Sequence, residues 1–216
     1  NSSIAPGPLM YKKIPYDPIK DFAPTSLVSI VPLVMVTHPS LPVTNAKEFI
    51  ALAKAKPRGF NYASSGKGGL VHLTGELVSV ATGIEMTHIP YKSGAEVLRE
   101  LMSGTLEVGW VDTTTGGPAA KADKIRLLGI SGTIRVPGNP EIKTLQEQGY
   151  GLDLNGWLGL FARAGTPDPI VTAINNEVLR IMNSLSEKGV DVMDDGGGKY
   201  HVSGHANRPD LEHVHR

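Results

Sequence analysis

Between residues 22 and 186, short apolar runs alternate with amphipathic stretches, and the spacing switches repeatedly between strand and helix periods. Residues 22–37 are rich in Val, Ile and Leu and are interrupted by Pro32, which predicts two short buried strands. Ala46, Phe49, Ile50 and Ala53 recur at a helical period after Pro42, and Pro57 closes that helix. A strand over 60–63 leads into the loop Ser64-Ser65-Gly66-Lys67-Gly68-Gly69, then a helix over 70–81 that ends at Gly83. The same rhythm predicts strands over 86–89, 106–111 and 125–130. It also predicts a helix over 95–102 closed by Gly104, a short helix before 125 and a helical turn over 143–148. Residues 154–162 alternate apolar and small side chains, as a strand does. Pro167 and Asp168 open a helix whose apolar stripe is Ile170, Ile174, Val178, Ile181 and Met182.

Strand–helix alternation with short connections predicts an α/β fold with parallel strands covered by helices. Pro6, Pro8, Pro15 and Pro18 make the first twenty residues a series of irregular turns. From about Glu187 the alternation stops, and a polar tail follows that contains Gly196-Gly197-Gly198 and four histidines.

Composition narrows the function. The 21 basic and 21 acidic residues cancel, and no basic run gives a case for nucleic acid or a membrane surface. No cysteine is present, so disulfides and thiolate chemistry are excluded. The apolar stretch over 27–36 is broken by Ser29 and Pro32 and is too short to cross a bilayer. The chain opens at Asn1 without a signal peptide, which processing would have removed.

Ligands of open α/β sheets bind beyond the carboxyl ends of the strands. Two loops occupy that position. In the first, the glycines at 66 and 68 let the backbone approach a ligand, Ser64 and Ser65 supply hydroxyls and Lys67 supplies charge. The helix after it carries His72 and adds free N–H groups at its start, which suits a small anion. A glycine-rich turn with a serine cap is the competing reading. In the second loop, Asp112, Thr113 and Thr114 stand at a strand end before a helix, where they hold the polar end of a ligand or simply cap that helix. His72 and His88 have no partner at metal-ligand spacing, and Trp110 and Trp157 read as core or cleft-wall residues. Neither a Gly-x-Ser-x-Gly elbow, a phosphate-binding loop nor a His-Glu-x-x-His motif occurs, so no catalytic residue, metal site or cofactor is assigned.

Five ordered segments resemble the receptors of tripartite tricarboxylate transporters, the Bug-type solute-binding proteins. They are Leu9-Met10-Tyr11-Lys12-Lys13-Ile14-Pro15-Tyr16-Asp17-Pro18, His38-Pro39-Ser40-Leu41-Pro42, Asn61-Tyr62-Ala63-Ser64-Ser65-Gly66 with His72-Leu73-Thr74-Gly75-Glu76, His88-Ile89-Pro90-Tyr91-Lys92, and Gly156-Trp157-Leu158-Gly159-Leu160-Phe161. The resemblance covers about residues 1–185. It implies a type II periplasmic-binding fold with two lobes and a ligand cleft, in which 1–38 and 155–186 form a partial first lobe and 39–154 the second. It further implies a non-enzymatic, monomeric periplasmic receptor that closes on a small organic carboxylate and delivers it to a membrane permease. Ser64, Ser65, Gly66, Lys67, Gly68, His72, Asp112, Thr113 and Thr114 match ligand-contact regions of the family. Members carry a first strand and helices before the segment that starts here, so the first lobe is expected to be incomplete and to expose apolar surface.

Residues 187–216 form an unrelated or disordered tail in this reading. Tyr200-His201-Val202-Ser203-Gly204-His205 resembles a segment of J-type ribonucleases, which implies a chimeric reading frame. The competing function is therefore a metal-dependent hydrolase or ribonuclease fragment carried by the tail. Such an enzyme needs several ligand clusters from separated loops, and only one is visible.

Overall fold

The structure is a computed structural model that describes residues 12–136, 138–187, 191–194 and 200–203. The chain divides at Val31/Pro32 and at Gly156/Trp157. One compact unit contains Pro32–Gly156, and the other contains Ile14–Val31 with the chain from Trp157. These boundaries fall earlier than residue 38 and slightly later than residue 154, the positions expected from sequence.

The first boundary lies inside a single strand, β1 (Phe22–Thr37), where two strands were expected. Pro32 does not break it, because strand partners change there. Before Pro32, Asp21 and Ser26 lie against the strand Asn155–Arg163, and from Leu33 onward the partners are β4 and β5. A residue without an N–H is tolerated where one hydrogen-bond ladder ends and the next begins.

In the unit 32–156, β2 (Asn61–Ser64), β3 (Thr87–Pro90), β4 (Val108–Asp112) and β5 (Arg126–Ile130) join the second half of β1 in the order β3-β2-β4-β1-β5. β2 runs parallel to β3 and β4, and β1 lies antiparallel between β4 and β5. Helices α1 (Ala46–Ala55), α2 (Leu70–Thr82), α3 (Gly94–Ser103) and α4 (Thr113–Lys121) make the connections. The elements match the alternation read from the sequence, with ends shifted by one or two residues. The segment 143–148 is a turn, closed by Gln148 N–H donating to Thr144, and it is also tied to β5, with Ile130 N–H donating to Lys143 and Leu145 N–H to Ile130.

The start of α1 is built by its own sequence. Asn45 Oδ1 accepts from Glu48 N–H at 2.9 Å, and Glu48 Oε2 reaches back to Thr44 N–H at 2.7 Å. This reciprocal arrangement satisfies donors that a helix start leaves free. Ala46, Phe49, Ile50 and Ala53 are all buried, as their spacing predicts. Period-2 alternation in β1 places Leu33 and Met35 in one apolar cluster and Val34 and Val36 in another, so the strand separates the two cores.

The other unit is described by itself. β6 (Asn155–Arg163) pairs with β1, and Phe161 packs edge-on against Phe22 and tilted against Trp157. On α5 (Asp168–Glu187) the covered face contains Val171, Asn175, Val178 and Met182, with Asn175 Oδ1 accepting from Ser26 Oγ at 2.8 Å. The expected stripe is thus only half correct. Val178 and Met182 are covered, whereas Ile170, Ile174 and Ile181 are 51%, 40% and 45% exposed. Leu158 and Leu160 are exposed as well. Residues 191–203, assigned to a disordered or unrelated tail, include an antiparallel pair of strands, β7 (Asp191–Asp194) and β8 (Tyr200–Ser203). His205, His213 and His215 lie outside the described residues.

Phe49 is fully buried and meets Phe60 edge-on with ring centroids 5.4 Å apart. Phe49→Ala is expected to destabilise the protein by about 3–5 kcal/mol through lost burial and a residual cavity, read as a lower urea midpoint.

Candidate functional site

β2 and β4 are parallel neighbours, paired at Tyr62↔Val108, so their carboxyl ends share one edge of the sheet. Ser64 ends β2 and Asp112 ends β4, and the starts of α2 and α4 follow. A cavity of about 600 Å³ opens at that edge, wholly within the unit 32–156. Ser64, Ser65, Asp112 and Thr115 line it together with Leu33, Val71, Trp110 and a face of α3. The two loops singled out from the sequence therefore meet on one cavity. Gly66, Lys67, Gly68, His72, Thr113 and Thr114 lie beside it, outside its lining.

The loop after β2 is fixed from below. Gly66 and Gly68 have φ of 130° and 79°, a region that side chains disfavour, so the glycines permit the turn. Ser64 is 1% exposed. Its Oγ donates to Gly66 O at 2.9 Å, accepts from Gly66 N–H at 3.3 Å and lies 2.7 Å from His88 Nε2. Ser64 Oγ is thereby held by both Gly66 and His88. Gly68 N–H donates to His72 Nδ1 at 3.2 Å. The two imidazoles face each other with centroids 4.2 Å apart.

Below them, Tyr62 lies tilted against His88, and its hydroxyl donates to Glu76 Oε1. Burial, with Glu76 second, pushes the Tyr62 hydroxyl above its ordinary range and keeps it neutral. Gly75 allows this packing, since a Cβ there would overlap the Tyr62 ring. Ser64 and His72 are thus occupied in shaping the loop. Ser65 is exposed and makes no hydrogen bond among the described residues, and Lys67 is exposed.

Asp112 caps α4. Its Oδ1 accepts from Thr115 N–H at 2.7 Å and from the Thr114 hydroxyl, and its Oδ2 accepts from Thr115 Oγ1 at 2.7 Å. Burial pushes this carboxyl up, but the bonds from Thr114 and Thr115 outweigh it and hold the group below its ordinary range. The capping role is therefore realised, and Asp112 is an ionised anchor for the second loop.

The sequence predicted α3 as a helix but not its place in the cavity wall. Ser93 caps the helix, with Oγ accepting from Glu96 N–H at 3.3 Å. Ala95, Leu98, Arg99 and Met102 then share one helical face and line the cavity, while Val97 and Leu101 are buried. The 95/98/99/102 spacing was the available signal. Arg99 brings a cation to the site, with Nη2 3.4 Å from Glu100 Oε1. Among the described residues, no cluster of three or more His, Cys, Asp or Glu is arranged to hold a metal ion.

Comparison with known proteins places this geometry in a family. The model of the tripartite tricarboxylate transporter family receptor matches residues 1–196, and the chain belongs to that family. Among curated relatives, a UPF0065 protein from the gbd 5′ region of Cupriavidus necator is 32% identical over 171 residues, covering 79% of this chain and 52% of the relative. The protein BugT of Bordetella pertussis is 28% identical over 185 residues, covering 85% of this chain and 57% of BugT. The chain spans about half the length of these relatives.

Similar solved structures include R. palustris Rpa4515 with adipate, at TM-score 0.75 and 31% identity over 90% of this chain and 64% of that one. A periplasmic transporter gives TM-score 0.78 and 28% identity over 94% and 67%. MatC of Rhodopseudomonas palustris with bound malate gives TM-score 0.70 and 26% identity over 84% and 61%. The α/β fold is that of these periplasmic receptors. The family match continues past residue 187 into the segment read as foreign, and the resemblance to ribonucleases finds no support among these proteins.

Burial holds His88 below its ordinary pKa of 6.5. His72 and Lys67 add to this, and Glu76 opposes it. The unfolded chain then binds more protons below that value, so the stability contribution is present above pH 6.5 and is lost as pH falls towards the folded pKa. Urea midpoints measured from pH 7.5 to 5 should fall for the native protein, with a shallower fall for His88→Gln.

Proposed function

We propose that this chain is the ligand-holding part of a periplasmic receptor that captures a small organic carboxylate and presents it to the membrane permease of a tripartite tricarboxylate-type transporter. The observation that carries this reading is the convergence of the 64–68 loop and the 112–115 helix start on one cavity in a member of the family. Ser65 offers an uncommitted hydroxyl there, and Arg99 offers positive charge for a carboxylate. Ser64, His72 and Gly68 act behind the loop by fixing its shape, and Asp112 does the same for Thr115. Relatives whose structures hold adipate and malate support a dicarboxylate as the ligand class.

Binding and release are the whole activity in this reading, with no catalytic step and no cofactor. The receptor acts as a monomer in the periplasm. Among the described residues no helix is long and apolar enough to cross a membrane. No structural observation favours the alternative of a hydrolase carried by the tail.

A ligand that binds only the folded state raises its melting temperature. Millimolar adipate or malate should therefore shift the thermal unfolding of this chain upward. Ser65→Ala should weaken that ligand about tenfold, the loss of one hydrogen bond to a charged group. No shift with any dicarboxylate, or a shift indifferent to Ser65→Ala, would contradict the assignment.

A further inference from the structure

Three helices of the unit 32–156 start in the same way. In each, the third helical residue reaches back to the backbone N–H of the residue before the cap. Glu48 Oε2 accepts from Thr44 N–H at 2.7 Å in α1, and Glu96 Oε2 accepts from Lys92 N–H at 3.0 Å in α3. In α2 a histidine holds that place: His72 Nδ1 accepts from Gly68 N–H at 3.2 Å. α1 and α3 have a second tie, because Asn45 and Ser93 accept from the amides of Glu48 and Glu96. α2 has no such tie, since its cap is Gly69 and makes no side-chain bond. Gly66 and Gly68, just before it, have φ of 130° and 79° and the backbone freedom of glycine. Among the described residues, His72 is therefore the side chain that ties this turn to α2.

We infer that His72 is a pH-sensitive latch on the 64–69 loop: neutral, it holds the turn through the Gly68 amide, and protonated, it releases the turn and lowers the affinity of the cavity. This inference rests on the receptor reading above and adds its regulation. A backbone N–H only donates, so the bond needs a free lone pair on Nδ1. A proton there sets two donors against each other. A carboxylate in this place, as in α1 and α3, keeps its lone pairs down to about pH 4, whereas imidazole ordinarily takes its proton between about pH 5 and 8. The His72 side chain is 17% exposed, which leaves the proton a path to solvent. Groups on three elements and the loop face it. On α2 itself, Glu76 Oε1 lies 3.9 Å from Nε2. On β3, the His88 ring lies 4.2 Å away between centroids, and burial, with His72 and Lys67 adding and Glu76 opposing, holds His88 below its ordinary pKa. On β2, the Tyr62 hydroxyl donates to Glu76, and burial keeps it neutral. In the loop, Lys67 acts on His88 as a like charge. A charged His72 thus has the Glu76 carboxylate on one side and uncharged rings beside it. The loop brings Ser65 to the cavity lining, so releasing the turn removes a preshaped wall from the ligand.

Two measurements on the whole chain, from pH 7.5 to 5.5, test this. Without ligand, the Gly68 amide proton should move upfield in the NMR spectrum as pH falls, with the same midpoint as the His72 ring. His72→Gln keeps an acceptor that cannot be protonated, so its Gly68 amide should stay in place. His88→Gln should leave the Gly68 response intact, which separates the two histidines. With adipate as the probe in calorimetric titration, the dissociation constant should rise about fivefold more in the native protein than in His72→Gln, the size expected for one lost hydrogen bond. Protonation of adipate itself is common to both proteins and cancels. A Gly68 amide that ignores pH, or that responds equally in His72→Gln, would overturn the latch. Equal pH dependence of adipate binding in the two proteins would overturn the coupling to affinity and leave the receptor reading standing. No adipate binding at either pH would overturn the receptor reading and the coupling with it, while the Gly68 amide decides the latch by itself.

Discussion

The antiparallel placement of residues 33–37 between β4 and β5 is the constraint on which the unit 32–156 depends. Val34, Met35 and Val36 are at most 1% exposed, and each face of the strand belongs to a different apolar cluster. Shifting the pairing by one residue would exchange the two faces and expose neither cluster to its own partners. The same register pairs Leu33 with Asp112. It therefore fixes where β4 ends, where α4 starts and where the Asp112 carboxylate stands at the cavity. Ser131 secures the arrangement, since its buried hydroxyl accepts from Leu33 N–H at 2.9 Å and donates to Leu154 O at 2.7 Å.

Local chemistry then turns a generic sheet edge into two different loops. Gly66 and Gly68 provide the curvature after β2, but glycine alone leaves a loop free. His88 and His72, one on a neighbouring strand and one on the following helix, bond to Ser64 and Gly68 and remove that freedom. The second loop needs no such support because Asp112 and its threonines close on themselves. A preshaped loop beside an ionised but saturated carboxylate suits binding more than proton transfer, for which a free base near a substrate proton is needed.

Much of the fold was legible because its signals are local. Phe49 and Ile50 follow a clean helical period, Gly83 and Gly104 stop α2 and α3, and β4 and β5 are short apolar runs. What was not legible depends on distant partners. Pro32 looks like a break until the exchange of strand partners is known. The turn over 143–148 was legible, but its backbone bonds to β5 have no local signal. On the covered face of α5, Asn175 bonds to Ser26, 149 residues away. At the site, sequence position located Ser64, Ser65 and Asp112 on the cavity, yet it could not separate residues that shape the loop from those that face a ligand. That distinction lies in hydrogen-bond saturation, which needs His88 and Thr115 in place. Arg99 was missed because it follows no strand end.

The account turns on a ligand occupying the edge of the sheet between Ser65 and Arg99. The most direct measurement is a crystal structure of this chain grown with adipate. It should show a carboxylate within hydrogen-bond distance of the Ser65 hydroxyl or the Arg99 guanidinium. Adipate bound outside this cavity, with Ser65 and Arg99 facing solvent, would contradict the account.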